Sequence, residues 1–146
     1  MSNKRLIVVV GPTAVGKTAE CIRLARMLGT EIVSADSRQF YKEMNIGVAR
    51  PSKSELATIP HHLIAHVSVC QDYNAAIYER EALDIIGKLF QEKDDVVLTG
   101  GSGLYVNAVC NGMDDSPDKD ERIRQELNDL FATQGLEPLQ RELQEK

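Results

Sequence analysis

The sequence has no long apolar run, no paired cysteines and no basic stripe, and each absence argues against a class of protein. A membrane helix needs about 20 consecutive apolar residues, far more than any run in this chain, and no charged and then apolar leader precedes Leu6. The cysteines Cys21, Cys70 and Cys110 are odd in number and form no C-x-x-C pair, which favours buried reduced thiols over disulfides or a metal site. We therefore expect a cytoplasmic protein that does not associate with a membrane.

The net charge of −5 is unevenly distributed along the chain. Residues 114–146 contain ten acidic and five basic residues, which leaves twelve of each sign in residues 1–113. An acidic C-terminal section is not typical of a nucleic-acid-binding surface. The length of 146 residues and the apolar content of 42% are sufficient for one ordinary domain with a core.

What the sequence does contain is the phosphate-binding pattern G-x-x-x-x-G-K-[ST], which residues 11–18 fit. The apolar residues 6–10 before it predict a buried strand, and the apolar spacing after it predicts a helix that ends at Gly29. This context favours a P-loop over a chance glycine-rich turn, with backbone amides and Lys17 on a diphosphate and the Thr18 hydroxyl on Mg²⁺. The candidate phosphate-binding residues are Gly11, Pro12, Thr13, Ala14, Val15, Gly16, Lys17 and Thr18. The pattern predicts a phosphate ligand without selecting a reaction.

Residues 31–35 predict a second strand that brings residues 36–39 to the carboxyl edge of the sheet, where ligands bind in open α/β folds. Asp36 at this edge could help to hold Mg²⁺, act as a general base, or only cap a helix. Arg38 could neutralise a phosphate or be a solvated charge. No acidic residue follows the apolar residues 96–98, where P-loop NTPases usually place a carboxylate, so Asp36 is the best-placed acid.

Further strands at residues 63–69 and 96–99 alternate with a helix capped by Asn74 and with a helix that follows the glycine-rich turn 100–103. The helix after Asn74 is predicted to pack one apolar face on the core. The glycines are predicted to let a bulky ligand approach the backbone. The alternation predicts an α/β fold, a P-loop NTPase-like parallel sheet flanked by helices.

His62 and His66 are four residues apart, which is also the spacing of some zinc ligands. No glutamate follows His62, and no cysteine lies nearby at ligand spacing. We predict no zinc site, and instead a partly buried histidine cluster with satisfied hydrogen bonds.

The composition changes after Asn111, where a linker precedes a D-x-x-E capping signal formed by Asp118 and Glu121. A helix is predicted to run to about Phe131, with a break at Gly135 and a second helix after it. We predict a P-loop α/β core at residues 1–112 and the truncated beginning of a helical insertion domain at residues 113–146.

Five segments, taken together in this order, resemble the tRNA dimethylallyltransferases. They are residues 11–18, residues 34–39, Tyr41 with residues 44–47, residues 60–64 and residues 100–105. The sequence departs from the usual family residues at Val15, Phe40, Ala65 and Ser102. None of these departures removes Lys17, Thr18 or Asp36.

The resemblance implies an enzyme that transfers a dimethylallyl group from dimethylallyl diphosphate to N6 of an adenosine next to the tRNA anticodon, with Mg²⁺. It implies that Lys17 and Asp36 are catalytic, and that Asp36 accepts the N6 proton. The residues implied to bind the tRNA anticodon loop are Asp36, Ser37, Arg38, Gln39, Ser102 and Arg122. Chains of that family are about twice as long, so we expect a fragment that is inactive alone, from a monomeric enzyme.

Two other functions remain open from the residues. A small P-loop kinase would use Asp36 to activate the hydroxyl of a metabolite, and a catalytically inactive module would bind a nucleotide or RNA without turnover. Product analysis separates the two enzymes, because a kinase makes ADP and a prenyltransferase releases diphosphate.

Overall fold

The computed structural model describes residues 3–113 and 120–145. The chain divides into two compact units, Met1–Met113 and Asp114–Lys146. The first unit contains four strands and four helices in its described part: β1 (Arg5–Val10), α1 (Lys17–Leu28), β2 (Ile32–Ser34), α2 (Lys53–Leu56), β3 (His61–His62), α3 (Ala75–Glu92), β4 (Asp95–Gly100) and α4 (Gly103–Asn111). The second contains α5 (Glu121–Gln134) and α6 (Glu137–Glu145).

The four strands form one parallel sheet in the order β1-β4-β2-β3. Strand β4 lies between β1 and β2, and its residues Val96, Val97 and Leu98 are fully buried. An unbroken apolar run suits a strand that is covered on both faces. The predicted α/β class, with a parallel sheet flanked by helices, is therefore confirmed.

Helix α3 packs one face on the larger part of the core, as its apolar spacing predicts. Asn74 caps the helix, because its side-chain oxygen accepts a hydrogen bond from the Ile77 amide at 3.0 Å. Tyr78, Ala82 and Ile86 are buried on the core-facing side. The Tyr78 hydroxyl donates to the Ser34 carbonyl at 3.0 Å, which connects the helix to the end of β2.

The predicted strand at residues 63–69 is wrong. Strand β3 contains only His61 and His62, because Leu63 and Ala65 have φ angles of 60° and 50° in the left-handed region. The amides of His66 and Val67 instead donate to the Phe40 carbonyl, at 2.9 and 3.2 Å. Hydrogen bonds to a distant turn therefore override the local preference for a strand.

Helix α2 was not predicted, although its capping signal is present in the sequence. The Ser52 side chain accepts from the Glu55 amide, and the Glu55 side chain accepts from the Ser52 amide at 2.7 Å. This S-x-x-E capping box is sufficient to start one helical turn.

The expectation of buried thiols holds for Cys21 alone. Cys70 and Cys110 are exposed, and all three cysteines are free. Cys70 lies in the turn at residues 69–70, and Cys110 is an exposed residue of α4. Within the described part of the chain, no helix is both long and apolar enough to cross a membrane.

In the second unit, Asp120 caps α5, and its carboxylate accepts from the Arg122 and Ile123 amides at 2.9 and 3.4 Å. The expected cap, Asp118, lies outside the described residues. The predicted break at Gly135 is confirmed, since Gly135 ends α5 with a φ angle of 77°.

A side chain at Gly100 is incompatible with the observed pairing of the strand ends. A methyl group there would lie 2.1 Å from the Ala35 carbonyl oxygen, whereas one at Gly101 would meet no atom closer than 3.9 Å. We expect Gly100→Ala to lower the free energy of unfolding by about 3 kcal/mol or more, since the obstacle is backbone. Gly101→Ala is the matched control and should change it by less than about 1 kcal/mol. Urea denaturation of both variants measures the difference, and equal stability would contradict the close contact.

Candidate functional site

The loop between β1 and α1 has the backbone conformation of an anion-binding turn. Gly11, Ala14 and Gly16 have positive φ angles of 154°, 67° and 91°. Helix α1 begins at Lys17 without a side-chain cap, so its first amides are not used by a capping residue. The Lys17 ammonium donates to the carbonyls of Gly11 and Pro12, at 2.7 and 2.5 Å. The loop therefore presents a cation and helix N-terminal amides together, the combination that binds phosphate groups.

A cavity of about 320 Å³ lies beside this loop. Four parts of the first unit form its wall: the P-loop with the start of α1, the ends of β2 and β4, the loop before α2, and the segment that begins at β3. The lining residues are Thr13, Ala14, Gly16, Lys17, Thr18, Cys21, Ser34, Asp36, Gln39, Ala49, Pro51, His61, Ile64, Thr99 and Gly100. The carboxyl ends of parallel strands thus meet the P-loop, at the edge where ligands bind in open α/β sheets.

Seven of the residues predicted from the sequence line the cavity, and the others do not. Those in the wall are Thr13, Ala14, Gly16, Lys17, Thr18, Asp36 and Gln39. Those outside it are Gly11, Pro12, Val15, Ser37, Arg38, Ser102 and Arg122. Arg38 is exposed, and Arg122 is an exposed residue of the second unit, 3.8 Å from the Asp120 carboxylate.

Asp36 faces the P-loop from the end of β2. The position that a methyl group on Gly101 would occupy is 4.0 Å from both the Asp36 Oδ2 atom and the Thr13 hydroxyl oxygen. The other carboxylate oxygen accepts from the Arg38 amide at 3.1 Å, which holds the side chain in a turn and not at a helix cap. Asp36 therefore lies opposite the loop that carries Lys17.

The glycine-rich segment at the end of β4 lies where the ends of β2 and β4 meet. Gly100, the last residue of β4, accommodates the Ala35 backbone of the neighbouring strand end and also lines the cavity. Ser102 accepts from the Ser37 amide and donates to the Ser37 hydroxyl, both at 3.0 Å. These two serines join the loops that follow β2 and β4, and their hydroxyls are directed at each other.

The three histidines have separate partners. His62 lies 2.6 Å from Glu31, and His66 lies 3.1 Å from the Tyr73 hydroxyl. His61 lines the cavity, and burial lowers its pKa. Its Nδ1 atom is 2.7 Å from a carbonyl oxygen, so that nitrogen carries the hydrogen and Nε2 is the acceptor in the neutral ring. In residues 3–113 and 120–145, no group of three histidine, cysteine or acidic side chains could hold a metal ion.

Several residues that were not among the predicted site residues also line the cavity. Cys21 lies one turn into α1, where burial raises the pKa of its thiol. Ala49 and Pro51 flank Arg50 in the loop before α2, and His61 and Ile64 follow from the segment at β3. The resemblance includes residues 60–64, but no local pattern indicates that they lie beside the P-loop.

Comparison with known proteins places these features in one family. A family model described as IPP transferase matches residues 39–146. A tRNA dimethylallyltransferase from Flavobacterium johnsoniae is 50% identical over 140 residues, which are 96% of this chain and 45% of that protein. Another, from Bacteroides thetaiotaomicron, is 49% identical over 94% of this chain and 45% of its own length.

Solved structures are similar across both units. The full-length tRNA isopentenylpyrophosphate transferase from Bacillus halodurans aligns with a TM-score of 0.73 and 35% identity, over 98% of this chain and 47% of that one. A eukaryotic dimethylallyltransferase acting on tRNA aligns with a TM-score of 0.74 and 28% identity, over 89% and 33%. The chain spans about half the length of the curated relatives it matches. On the family match, the chain belongs to the IPP transferases.

Proposed function

We propose that this protein, at the length of its relatives, is a tRNA dimethylallyltransferase. It transfers a dimethylallyl group from dimethylallyl diphosphate to N6 of an adenosine next to the tRNA anticodon, and it releases diphosphate. The observation that carries this proposal is that Lys17 and Asp36 line one cavity, a cation for a diphosphate opposite a carboxylate for a proton. The similarity to tRNA dimethylallyltransferases supports the same reaction.

The P-loop side of the cavity binds the diphosphate of the donor. Negative charge develops on the diphosphate as its bond to the prenyl carbon breaks. The Lys17 ammonium and the amides at the start of α1 stabilise that charge, as such groups do in phosphoryl transfer. Lys17 then exchanges its contacts with the Gly11 and Pro12 carbonyls for contacts with phosphate oxygens.

Asp36 acts on the second substrate. The adenine N6 atom forms a bond to the prenyl carbon, the carbon–oxygen bond to diphosphate breaks, and the N6 proton passes to the Asp36 carboxylate. The base must leave its stack to reach the cavity, which costs less in an RNA loop than in a duplex. Gln39 lies next to Asp36, with its amide nitrogen 3.5 Å from the Oδ2 atom, and contributes to holding the base.

The donor set of the cavity fits Mg²⁺ bound together with a diphosphate. Mg²⁺ in proteins keeps several waters and is held by one or two side-chain oxygens and by substrate phosphates. Thr18 provides a hydroxyl and Asp36 a carboxylate in the same wall. When bound there, the ion would neutralise part of the charge of the leaving group. Thr18 is the proposed protein ligand of Mg²⁺. Asp36 is the alternative ligand, in place of its role as a general base.

The remaining predicted tRNA contacts lie outside the cavity wall. Ser37 and Ser102 join the loops that follow β2 and β4, while Arg38 is exposed and is proposed to contact a phosphate of the RNA. Arg122 in the second unit is proposed to contact RNA. We assign the reaction to the cytoplasm and expect the enzyme to be a monomer.

The reaction is tested in a full-length form, which is either a natural longer chain or this chain joined to the remaining half of the Flavobacterium johnsoniae relative. With dimethylallyl diphosphate and an anticodon stem-loop RNA, we expect N6-prenylated adenosine and an equal amount of diphosphate. The 146-residue chain alone should give no product. Formation of ADP from ATP and a metabolite would indicate the kinase instead, and binding without any product would indicate an inactive module.

Lys17→Ala in the full-length form should reduce the transfer rate by at least about 10²-fold, because it removes a charge directed at the leaving diphosphate. Lys17 is partly exposed, so the fold should remain. Lys88→Ala, on the outer face of α3, is the matched control and should retain full activity. Rates are compared after circular dichroism shows that both variants are folded. A Lys17→Ala variant that turns over normally would refute the assigned diphosphate site.

Asp36→Asn should leave binding of the donor nearly unchanged and lower the rate by about 10²- to 10⁴-fold, since the amide has nearly the same shape and cannot accept the proton. If Asp36 mainly holds Mg²⁺, the variant should bind the donor weakly and recover at high Mg²⁺. Donor affinity and single-turnover rate across a Mg²⁺ titration separate the two roles. Recovery of the full rate at high Mg²⁺ would eliminate the role as a base.

A further inference from the structure

Arg50 ties together the loop that forms one wall of the cavity. Its Nη2 atom donates to the carbonyls of Tyr41 and Met44, at 2.6 and 3.0 Å. Its Nη1 atom donates to the Asn45 side-chain oxygen at 3.1 Å. One guanidinium therefore connects the end of the loop to three points at its beginning.

The residues on either side of Arg50 are part of the cavity wall. Ala49 and Pro51 both line the cavity, so the position of the Arg50 backbone determines where this wall lies. The Ala49 carbonyl accepts a hydrogen bond from the Gln39 side-chain amide at 2.7 Å. The loop held by Arg50 is thereby connected to a residue of the site.

Gln39 carries this connection to Asp36. Its amide nitrogen has two hydrogens, one for the Ala49 carbonyl and one directed at Asp36 Oδ2, at 3.5 Å. Its side-chain oxygen accepts from the Ser34 hydroxyl at 3.3 Å, and the Ala49 carbonyl, which can only accept, fixes the orientation of the amide. Moving the Ala49 carbonyl would therefore turn the Gln39 amide and change the hydrogen bond that Asp36 receives.

We propose that Arg50 is a positioning residue, which acts through the Ala49 carbonyl and the Gln39 amide to orient the Asp36 carboxylate. The effect of Arg50 on the rate of prenyl transfer rests on the proposed function. The requirement is for arginine in particular, because the planar guanidinium reaches three oxygen atoms in fixed directions and a lysine ammonium is a single point. Arg50 does not contact the reacting atoms in this scheme.

A double-mutant cycle tests the route through Gln39. In the full-length form, Arg50→Ala and Gln39→Leu should each lower the single-turnover rate by about 10- to 100-fold, since a small displacement of a catalytic group is sufficient for such a loss. The double variant should be no slower than Gln39→Leu alone, because the connection is already broken. Losses that multiply in the double variant would overturn the proposal.

A second criterion compares the effect of Arg50→Lys on the transfer rate with its effect on the KM for the RNA. The lysine variant should show an intermediate loss of rate, with the KM for the RNA changed by less than about twofold. If Arg50 instead binds an RNA phosphate, its replacement should raise the KM for the RNA and leave the rate at saturation unchanged. That second result would also overturn the proposal.

The positioning itself has a readout that does not depend on prenyl transfer. The Gln39 side-chain amide signal, assigned by its loss in Gln39→Leu, should shift and exchange faster with solvent in Arg50→Ala, and less so in Arg50→Lys. Lys53→Ala, an exposed change near the same loop, is the control and should leave the signal unchanged. If Arg50→Ala does not fold, the Gln39 amide signal of Arg50→Lys decides whether Arg50 positions Gln39.

The two proposals can fail separately. An unchanged Gln39 signal in a folded Arg50 variant overturns the role of Arg50 whatever reaction the protein performs. A shifted signal in a protein that makes no prenylated RNA supports the positioning role and counts against the proposed function alone.

Discussion

The site depends on the close approach of two strand ends, at Ala35 after β2 and Gly100 at the end of β4. The Ala35 amide donates to the Thr99 carbonyl at 2.7 Å, and the Ser102 amide donates back to the Ala35 carbonyl at 3.4 Å. Because a glycine allows this distance, the chain after β2 leaves the sheet directly beside the P-loop, and Asp36 is the next residue. The same contact that completes the sheet thus places a carboxylate opposite Lys17.

The parts of the structure that follow from local sequence could be predicted. The P-loop lies between a strand and a helix whose patterns are continuous in the sequence, and Asn74 with the apolar stripe of α3 is equally local. The backbone path of residues 63–69 could not be predicted, because the amides of His66 and Val67 donate to the Phe40 carbonyl more than twenty positions earlier. The same applies to His61, which enters the cavity wall only through the pairing of β3 with β2. Long-range hydrogen bonds determine these features, and the spacing of apolar residues along the sequence does not indicate such bonds.

The cavity therefore has two kinds of wall. Helix α1 and the ends of β2 and β4 are fixed by strand pairing and burial, whereas the wall at Ala49 and Pro51 is a loop without regular structure. Residues 49–51 of this loop have no hydrogen bonds of a β-sheet, and side-chain hydrogen bonds from Arg50 hold the loop instead. Gln39 connects the loop to Asp36. On the proposed role of Arg50, the P-loop half of the site is independent of this loop, whereas the orientation of the Asp36 carboxylate depends on it.

The most direct test of this account is a crystal structure of the full-length form with a non-transferable analogue of dimethylallyl diphosphate and an anticodon stem-loop RNA. We predict that the diphosphate lies against Lys17 and the amides at the start of α1, and that the N6 atom of the adenosine next to the anticodon lies within hydrogen-bond distance of an Asp36 oxygen. A diphosphate bound away from the P-loop, or an adenine whose N6 atom faces another residue, would contradict the account.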